Sequence, residues 1–158
     1  MISVGGGLFH VAKDLHFPDA KGKRTLIAMK ILSEVAVVLR REDCRITQPK
    51  RSKGEDVKAQ CILGEQFGID LFVSPQEVEG DGSAFELVGF GFVSRDDDTP
   101  AAEVAVANAW RKIQAASSQV VKTLCSTHIT WLSVEDLDAR ASRRARGREG
   151  RPDRPDDG

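Results

Sequence analysis

The chain lacks the residues on which several common kinds of site depend. It has no tyrosine, and only three cysteines, Cys44, Cys61 and Cys125, occur among its 158 residues. No two of these cysteines form a C-x-x-C pair, which argues against a zinc site built on thiolates. Widely spaced thiols of this kind are typical of free cysteines in a reducing compartment, so we predict a cytoplasmic protein.

Long apolar runs are also missing. The most hydrophobic window, Leu26 to Leu39, has 14 residues and is interrupted by Lys30 and Glu34. A membrane-spanning helix needs about 20 predominantly apolar residues. The N-terminus has neither a basic start nor a continuous apolar stretch. We therefore predict no targeting segment and no membrane contact.

Familiar catalytic and nucleotide-binding motifs are absent as well. The glycine run 5–7 is followed neither by Gly-Lys-Ser/Thr nor by a G-x-G-x-x-G pattern that opens a helix, so we interpret it as a flexible joint. No serine stands in a G-x-S-x-G turn. The histidines His10, His16 and His128 lack the i, i+4 spacing of a helical zinc pair. We predict no catalytic residues, no metal site and no cofactor.

Charge is balanced over the whole chain but uneven along it. The formal net charge is −1, which gives no general attraction to nucleic acid or to acidic membranes. Residues 139–158 hold seven arginines against four acidic residues, a local charge of +3. Because this segment has too few apolar residues to offset the entropy of ordering, we predict a disordered arginine-rich tail.

Two segments have the periodicity of helices. From Thr25 to Arg41, apolar residues recur at steps of three and four over a wide stripe, which indicates a helix sandwiched in a core or in a subunit interface. From Pro100 to about Leu124 a second stripe follows, with Thr99 as a candidate N-cap before the proline. The two segments predict one buried helix and one long amphipathic helix.

Three runs between these helices alternate in the manner of β-strands. Residues 57–63 and 67–74 place apolar side chains at every second position, and the link between them is short enough for a hairpin. The third run, residues 85–93, is apolar on both faces, with Phe90 and Phe92 on the second face. Such a strand is either covered on both sides or faces a partner.

These elements predict an α+β fold in which a helix, a three-stranded antiparallel meander and a long helix pack as two layers. We divide the chain into an N-terminal arm of uncertain order over residues 1–20, a single α+β domain over residues 21–138, and the disordered tail over residues 139–158. Most of the chain is thus assigned to one domain.

The element order over residues 22–124 resembles that of the double-stranded-RNA-binding domain. That family binds RNA phosphates with lysines at the start of its second helix. In this chain Asp96, Asp97 and Asp98 stand there instead, and they would repel phosphate. The resemblance therefore does not favour duplex binding through that surface.

An apolar surplus is the feature that we relate to function. The first helix and the third strand are more apolar than a single small core needs, and a domain of this size often resolves such a surplus by oligomerising. We therefore predict a non-catalytic protein-interaction or adaptor module whose partner is another protein or a second copy of the chain. Its expected contact residues are Phe90, Phe92 and Trp110.

Basic residues support a first alternative. Lys50, Arg51 and Lys53 lie in the loop over residues 48–54, and the tail over residues 139–158 adds seven arginines. Together they would suit a nucleic-acid-binding accessory protein that holds its ligand by charge.

A second alternative is a metal-dependent nuclease-like hydrolase. Asp56 and Lys58 form a D-x-K step at the start of a strand, so both side chains would point to one face and could share a metal-bound water. Asp70 is the candidate for the additional acid. The sequence leaves open whether these three side chains converge.

Overall fold

A computed structural model of the chain describes residues 2–11, 24–65, 67–76, 83–93, 100–133, 135, 136 and 139. Thr99 and nearly all of the predicted tail lie outside these residues. The described residues form nine elements in this order: β1 (Ile2–Val11), α1 (Arg24–Arg41), β2 (Arg45–Ile46), β3 (Lys50–Arg51), β4 (Val57–Ile62), β5 (Phe67–Gln76), β6 (Ser83–Val93), α2 (Pro100–Cys125) and β7 (Thr130–Leu132).

All seven strands belong to one antiparallel sheet. Its order is β2-β4-β5-β6-β1-β7, and β3 also pairs with β4. Strands β4, β5 and β6 follow one another as the sequence predicts, but β1 then pairs with β6 from Ile2↔Gly91 to Val11↔Ser83. The predicted three-stranded meander is therefore wrong, and the element order of the RNA-binding family no longer fits.

Strand β1 is the largest departure from the sequence analysis. The glycine run 5–7, interpreted above as a flexible joint, lies in the middle of this strand. A Cβ atom added at Gly5 would collide with the indole of Trp110, and one at Gly7 would collide with Ile129. These glycines therefore make room for neighbouring side chains, a role that strand propensity does not anticipate because glycine is unfavourable in strands.

Three further strands are too short to show periodicity. β2 and β3 have two residues each and β7 has three. β2 and β3 both pair with β4, while β7 pairs with β1 at Gly6–Leu8. Segments of this length contain at most one alternation, so their pairing depends on tertiary contacts and not on local pattern.

Both predicted helices are confirmed, and both pack on the same face of the sheet. α1 contacts β4 and β5, α2 contacts β1, β5 and β6, and the two helices contact each other. Neither has the length and the hydropathy that a bilayer crossing requires. The core between helices and sheet includes the stacked rings of Phe9 and Phe85, whose centroids are 5.5 Å apart.

Two tryptophans connect the last strand to the long helix. Trp110 on α2 meets Trp131 on β7 edge to face, with ring centroids 5.9 Å apart. The indole Nε1 of Trp131 donates a hydrogen bond of 3.2 Å to Oγ of Ser118, also on α2. These contacts hold β7 beside β1, whose glycines provide the space for the rings.

Candidate functional site

The sheet has one face under the helices and one face that no described helix covers, which we call the open face. Side chains alternate along a strand, and on β4, β5 and β6 the odd-numbered residues are the ones buried under the helices, as in the pattern of β4. The even-numbered residues therefore point to the open face. They include Lys58, Gln60, Asp70, Phe72, Val88, Phe90 and Phe92, and Leu8 on β1 joins them.

Three phenylalanines form the apolar part of the open face. Phe72 and Phe90 meet edge to face with ring centroids 5.8 Å apart. Phe92 lies over Gly68, where an added Cβ atom would be 3.0 Å from the ring carbon Cζ. All three rings are half-buried, as are Leu8 and Val88. Partly accessible rings in one patch are typical of a surface that binds another molecule.

A carboxylate lies among these rings. Asp70 is opposite Gln60 on one neighbouring strand and Phe90 on the other, and only 3% of its surface is exposed. Its Oδ1 atom is buried and receives no hydrogen bond from the described part of the chain. A buried acceptor without a donor costs about 1–3 kcal/mol. Asp70 is therefore a buried carboxylate whose Oδ1 oxygen is covered by the chain itself.

Lys58 is the cation next to Asp70. Its Nζ atom lies 4.0 Å from Oδ2 of Asp70 and 5.7 Å from the centroid of the Phe72 ring. The distance to the carboxylate is too long for a hydrogen bond. Because its side chain is 32% exposed, the ammonium group can also reach a molecule placed on the open face.

The predicted contact residues lie in two different places. Phe90 and Phe92 belong to the open face. Trp110 lies on the other side of the sheet, is only 8% exposed and packs against Trp131, Gly5 of β1 and Gly89 of β6. The structure therefore does not bring Trp110 together with the two phenylalanines.

The basic loop forms an edge of the sheet. Lys50, Arg51 and Lys53 are exposed and make no ion pair with another described residue. Lys50 is paired with Lys58 across the strands, and both border a shallow groove of about 220 Å³. Its other lining residues are Thr47, Gln48, Ala59 and Gln60. Binding of a nucleic acid at this edge stays a prediction.

The three residues of the hydrolase alternative converge only in part. Lys58 and Asp70 are neighbours, whereas Asp56 lies in the turn before β4, where its backbone N–H donates to the carbonyl of Lys53 at 3.1 Å. Within the described ranges, no three His, Cys, Asp or Glu side chains are grouped so that they could hold a metal ion. The hydrolase activity also stays a prediction.

The cysteines are free thiols, two of them in the core. Burial raises the pKa of the Cys61 and Cys125 thiols to about 11, from an ordinary value of 9.0. Burial likewise raises the pKa of Cys44, and Lys112 opposes this shift. At neutral pH all three thiols are therefore protonated and are weak nucleophiles.

Sequence reasoning missed Phe72 as part of the patch. The run from Leu71 to Val73 contains three consecutive apolar residues, so one of them had to point away from the helices. This was the signal that could have identified Phe72. The sequence gives no signal that Oδ1 of Asp70 lacks a hydrogen-bond donor, because this depends on which residues of the neighbouring strands lie beside the carboxylate.

Comparisons with protein-family models, with curated proteins and with solved structures found no match to this chain.

Proposed function

We propose that this protein is a non-catalytic protein-interaction module that binds its partner on the open face of the sheet. The observation that carries the proposal is the patch of half-buried rings, Phe72, Phe90 and Phe92, on a face that no described helix covers. Completing the burial of one such ring contributes on the order of 1 kcal/mol, so a few rings together can support an interface.

The shape of this face favours a protein over a small ligand. The ring patch lies on a sheet surface, and the groove beside it, which Lys58 and Gln60 line, has a volume of about 220 Å³. Small-molecule sites are concave cavities of roughly 300–1,000 Å³ that enclose most of the ligand. Phenylalanine, like the other aromatic residues, is also enriched at protein interfaces relative to the rest of the surface. The rings supply apolar area, and Lys58 adds a partly exposed ammonium group beside them.

Lys58 would make this surface selective. Its ammonium group is partly exposed beside the rings, so a partner that presents an acceptor there is favoured over one that presents a cation. Selectivity of this kind rests on rejecting the wrong partner as much as on attracting the right one. We place the module in the cytoplasm because its three cysteines are free.

Site-specific photo-crosslinking in the cells from which the protein comes tests this proposal. p-Benzoylphenylalanine replaces Phe90 in one variant, which keeps an aromatic side chain on the open face. In the control variant it replaces Val104, which is 58% exposed on α2. We expect a discrete protein adduct from position 90 and none from position 104. Equal adducts from both positions, or none from position 90, would contradict the proposal.

A further inference from the structure

We infer that the protein partner on the open face presents an aspartate or glutamate side chain to the groove beside the rings, about three residues along its chain from an apolar side chain that covers Phe72. This inference rests on the proposed function and names the chemistry of the partner at the same site. It follows from two lysines that face each other across the strands, from the donors that line the groove and from the row of residues that joins the groove to the rings.

Two lysines of like charge lie directly opposite each other at the groove. Lys50 on β3 pairs with Lys58 on β4, so both side chains point to the open face, and both line the groove. Lys58 has the carboxylate of Asp70 4.0 Å away, whereas Lys50 is exposed and makes no ion pair with another described residue. Like charges in opposite positions destabilise a strand pair. A carboxylate placed between the two ammonium groups would offset this repulsion.

The groove offers hydrogen-bond donors and has no acidic side chain in its lining. None of its six lining residues is an aspartate or a glutamate. Oγ1 of Thr47 accepts a hydrogen bond of 2.8 Å from the backbone N–H of Gln60, so the hydroxyl proton is available to a ligand. The side-chain amides of Gln48 and Gln60 add N–H donors. A carboxylate among these donors and the two ammonium groups would form charge-assisted hydrogen bonds, which are about twice as strong as neutral ones.

One row of residues joins the groove to the rings. The row crosses four neighbouring strands and consists of Lys50, Lys58, Phe72 and Val88. Neighbouring strands are about 4.8 Å apart, so the middle of the lysine pair lies about 10 Å from the middle of the apolar pair, a distance that an extended chain covers in about three residues. Lys58 belongs to both parts, since its Nζ atom is 5.7 Å from the centroid of the Phe72 ring. A partner segment that crosses the strands can therefore cover the rings and place a carboxylate in the groove.

The charges of the open face favour an acidic protein segment over a nucleic-acid strand. Lys58 is the single cation among the even-numbered residues of β4, β5 and β6, whereas Asp70 and Glu86 are acids. A nucleic acid carries a phosphate at every nucleotide and needs a track of cations along its path. A strand that crossed the rings would bring its next phosphates toward Glu86, while a single carboxylate needs only the lysine pair.

Charge reversal at Lys50 tests this inference in the chain that carries p-benzoylphenylalanine at position 90. Lys50→Glu leaves the rings and the contact between Lys58 and Asp70 in place. We expect the yield of the protein adduct to fall at least about fivefold, because an exposed ion pair is replaced by a repulsion of similar size. Lys122→Glu makes the same change of charge at an exposed position of α2 and should leave the yield unchanged, after circular dichroism has shown that both chains are folded.

Reversing the charge on the partner as well tests whether the two side chains meet. Mass spectrometry of the adduct identifies the linked segment of the partner, which should contain an aspartate or glutamate within about five residues of the linked position. A partner in which lysine replaces this acid should lose the adduct with the chain that has Lys50 and recover it with the Lys50→Glu chain. Recovery of this kind measures the coupling between the two positions and not their separate effects.

The outcomes separate this inference from the proposed function. A protein adduct at position 90 that Lys50→Glu does not weaken, that has no acid near the linked position or that the second charge reversal does not restore would overturn the inference and leave the proposed function intact. An adduct that nuclease treatment removes, or the absence of any adduct at position 90, would contradict the proposed function and the inference together.

Discussion

Single glycines decide where strand β1 can lie. Gly5 on β1 and Gly89 on β6 both face the indole of Trp110 under the helices, and neither has space for a Cβ atom. In most strands glycine weakens the pairing, since it contributes no side chain and loses much conformational entropy on folding. Here the missing side chains allow a large ring to pack directly on the sheet, so the glycines stabilise the fold.

Gly89→Ala tests this role. Its Cβ atom would lie 2.6 Å from Cζ3 of Trp110, so the indole has to shift within a packed core. We expect the free energy of unfolding to fall by about 1–3 kcal/mol, the usual cost of overpacking, measured by urea denaturation.

Gly54→Asn is the matched control for Gly89→Ala. Gly54 has a φ of 59° and nothing within 4 Å of an added Cβ atom, and asparagine tolerates this backbone conformation. The free energy of unfolding of the Gly54→Asn variant should change by less than about 0.5 kcal/mol, as at other surface positions. An equal loss of stability in both variants would contradict the role of Gly89 in making space for Trp110.

At the scale of elements, the sequence predicts those helices and strands whose apolar pattern repeats over a long window. α1, α2 and strands β4, β5 and β6 were all predicted because each repeats its apolar pattern several times. β1 was predicted only as part of an arm of uncertain order, since its place in the sheet depends on rings from α2 and β7 that lie far away in the sequence. The short strands β2, β3 and β7 carry no pattern of their own.

The candidate site, like the fold, was predictable only in part. Phe90 and Phe92 follow from the two apolar faces of β6, because one face of a strand already fills the core. Trp110 lies on the apolar face of the amphipathic helix α2. The sequence of such a face does not determine whether a ring on it packs in the core or contacts a partner. The pairing of Lys58 with Asp70 depends on the register between β4 and β5, which local sequence does not determine.

Trp131 is the residue through which β7 is held to the rest of the fold. Trp131→Ala removes both the edge-to-face contact with Trp110 and the hydrogen bond to Ser118. Because β7 is only three residues long, we expect it to detach locally, and the amides of Gly6–Leu8 to exchange with deuterium at least about tenfold faster. Thr130→Ala, at an exposed position of the same strand, should leave this exchange nearly unchanged. No difference between the two variants would mean that other contacts hold β7.

At the scale of the whole molecule, the described elements form two layers, so one face of the sheet has neither α1 nor α2 on it. Antiparallel sheets commonly expose such a face to water, and it is then mainly polar. Here that face carries phenylalanine rings and a buried carboxylate with an unfilled oxygen. The exposed apolar side chains of the helices, Leu26, Val37 and Val104, lie on the outer layer and do not form part of this patch. This contrast is the reason that we propose the open face as the binding surface.

Photo-crosslinking from position 90 in chains that carry a second substitution tests most directly whether the open face binds a protein partner. The chain with p-benzoylphenylalanine at position 90 and no other change should give a discrete protein adduct. A second substitution Phe72→Asp places a charge in the patch and should abolish this adduct while circular dichroism shows that the chain stays folded, whereas Val104→Asp at an exposed position of α2 should leave the adduct unchanged. An adduct that Val104→Asp abolishes and Phe72→Asp does not, or no adduct at all, would contradict the account.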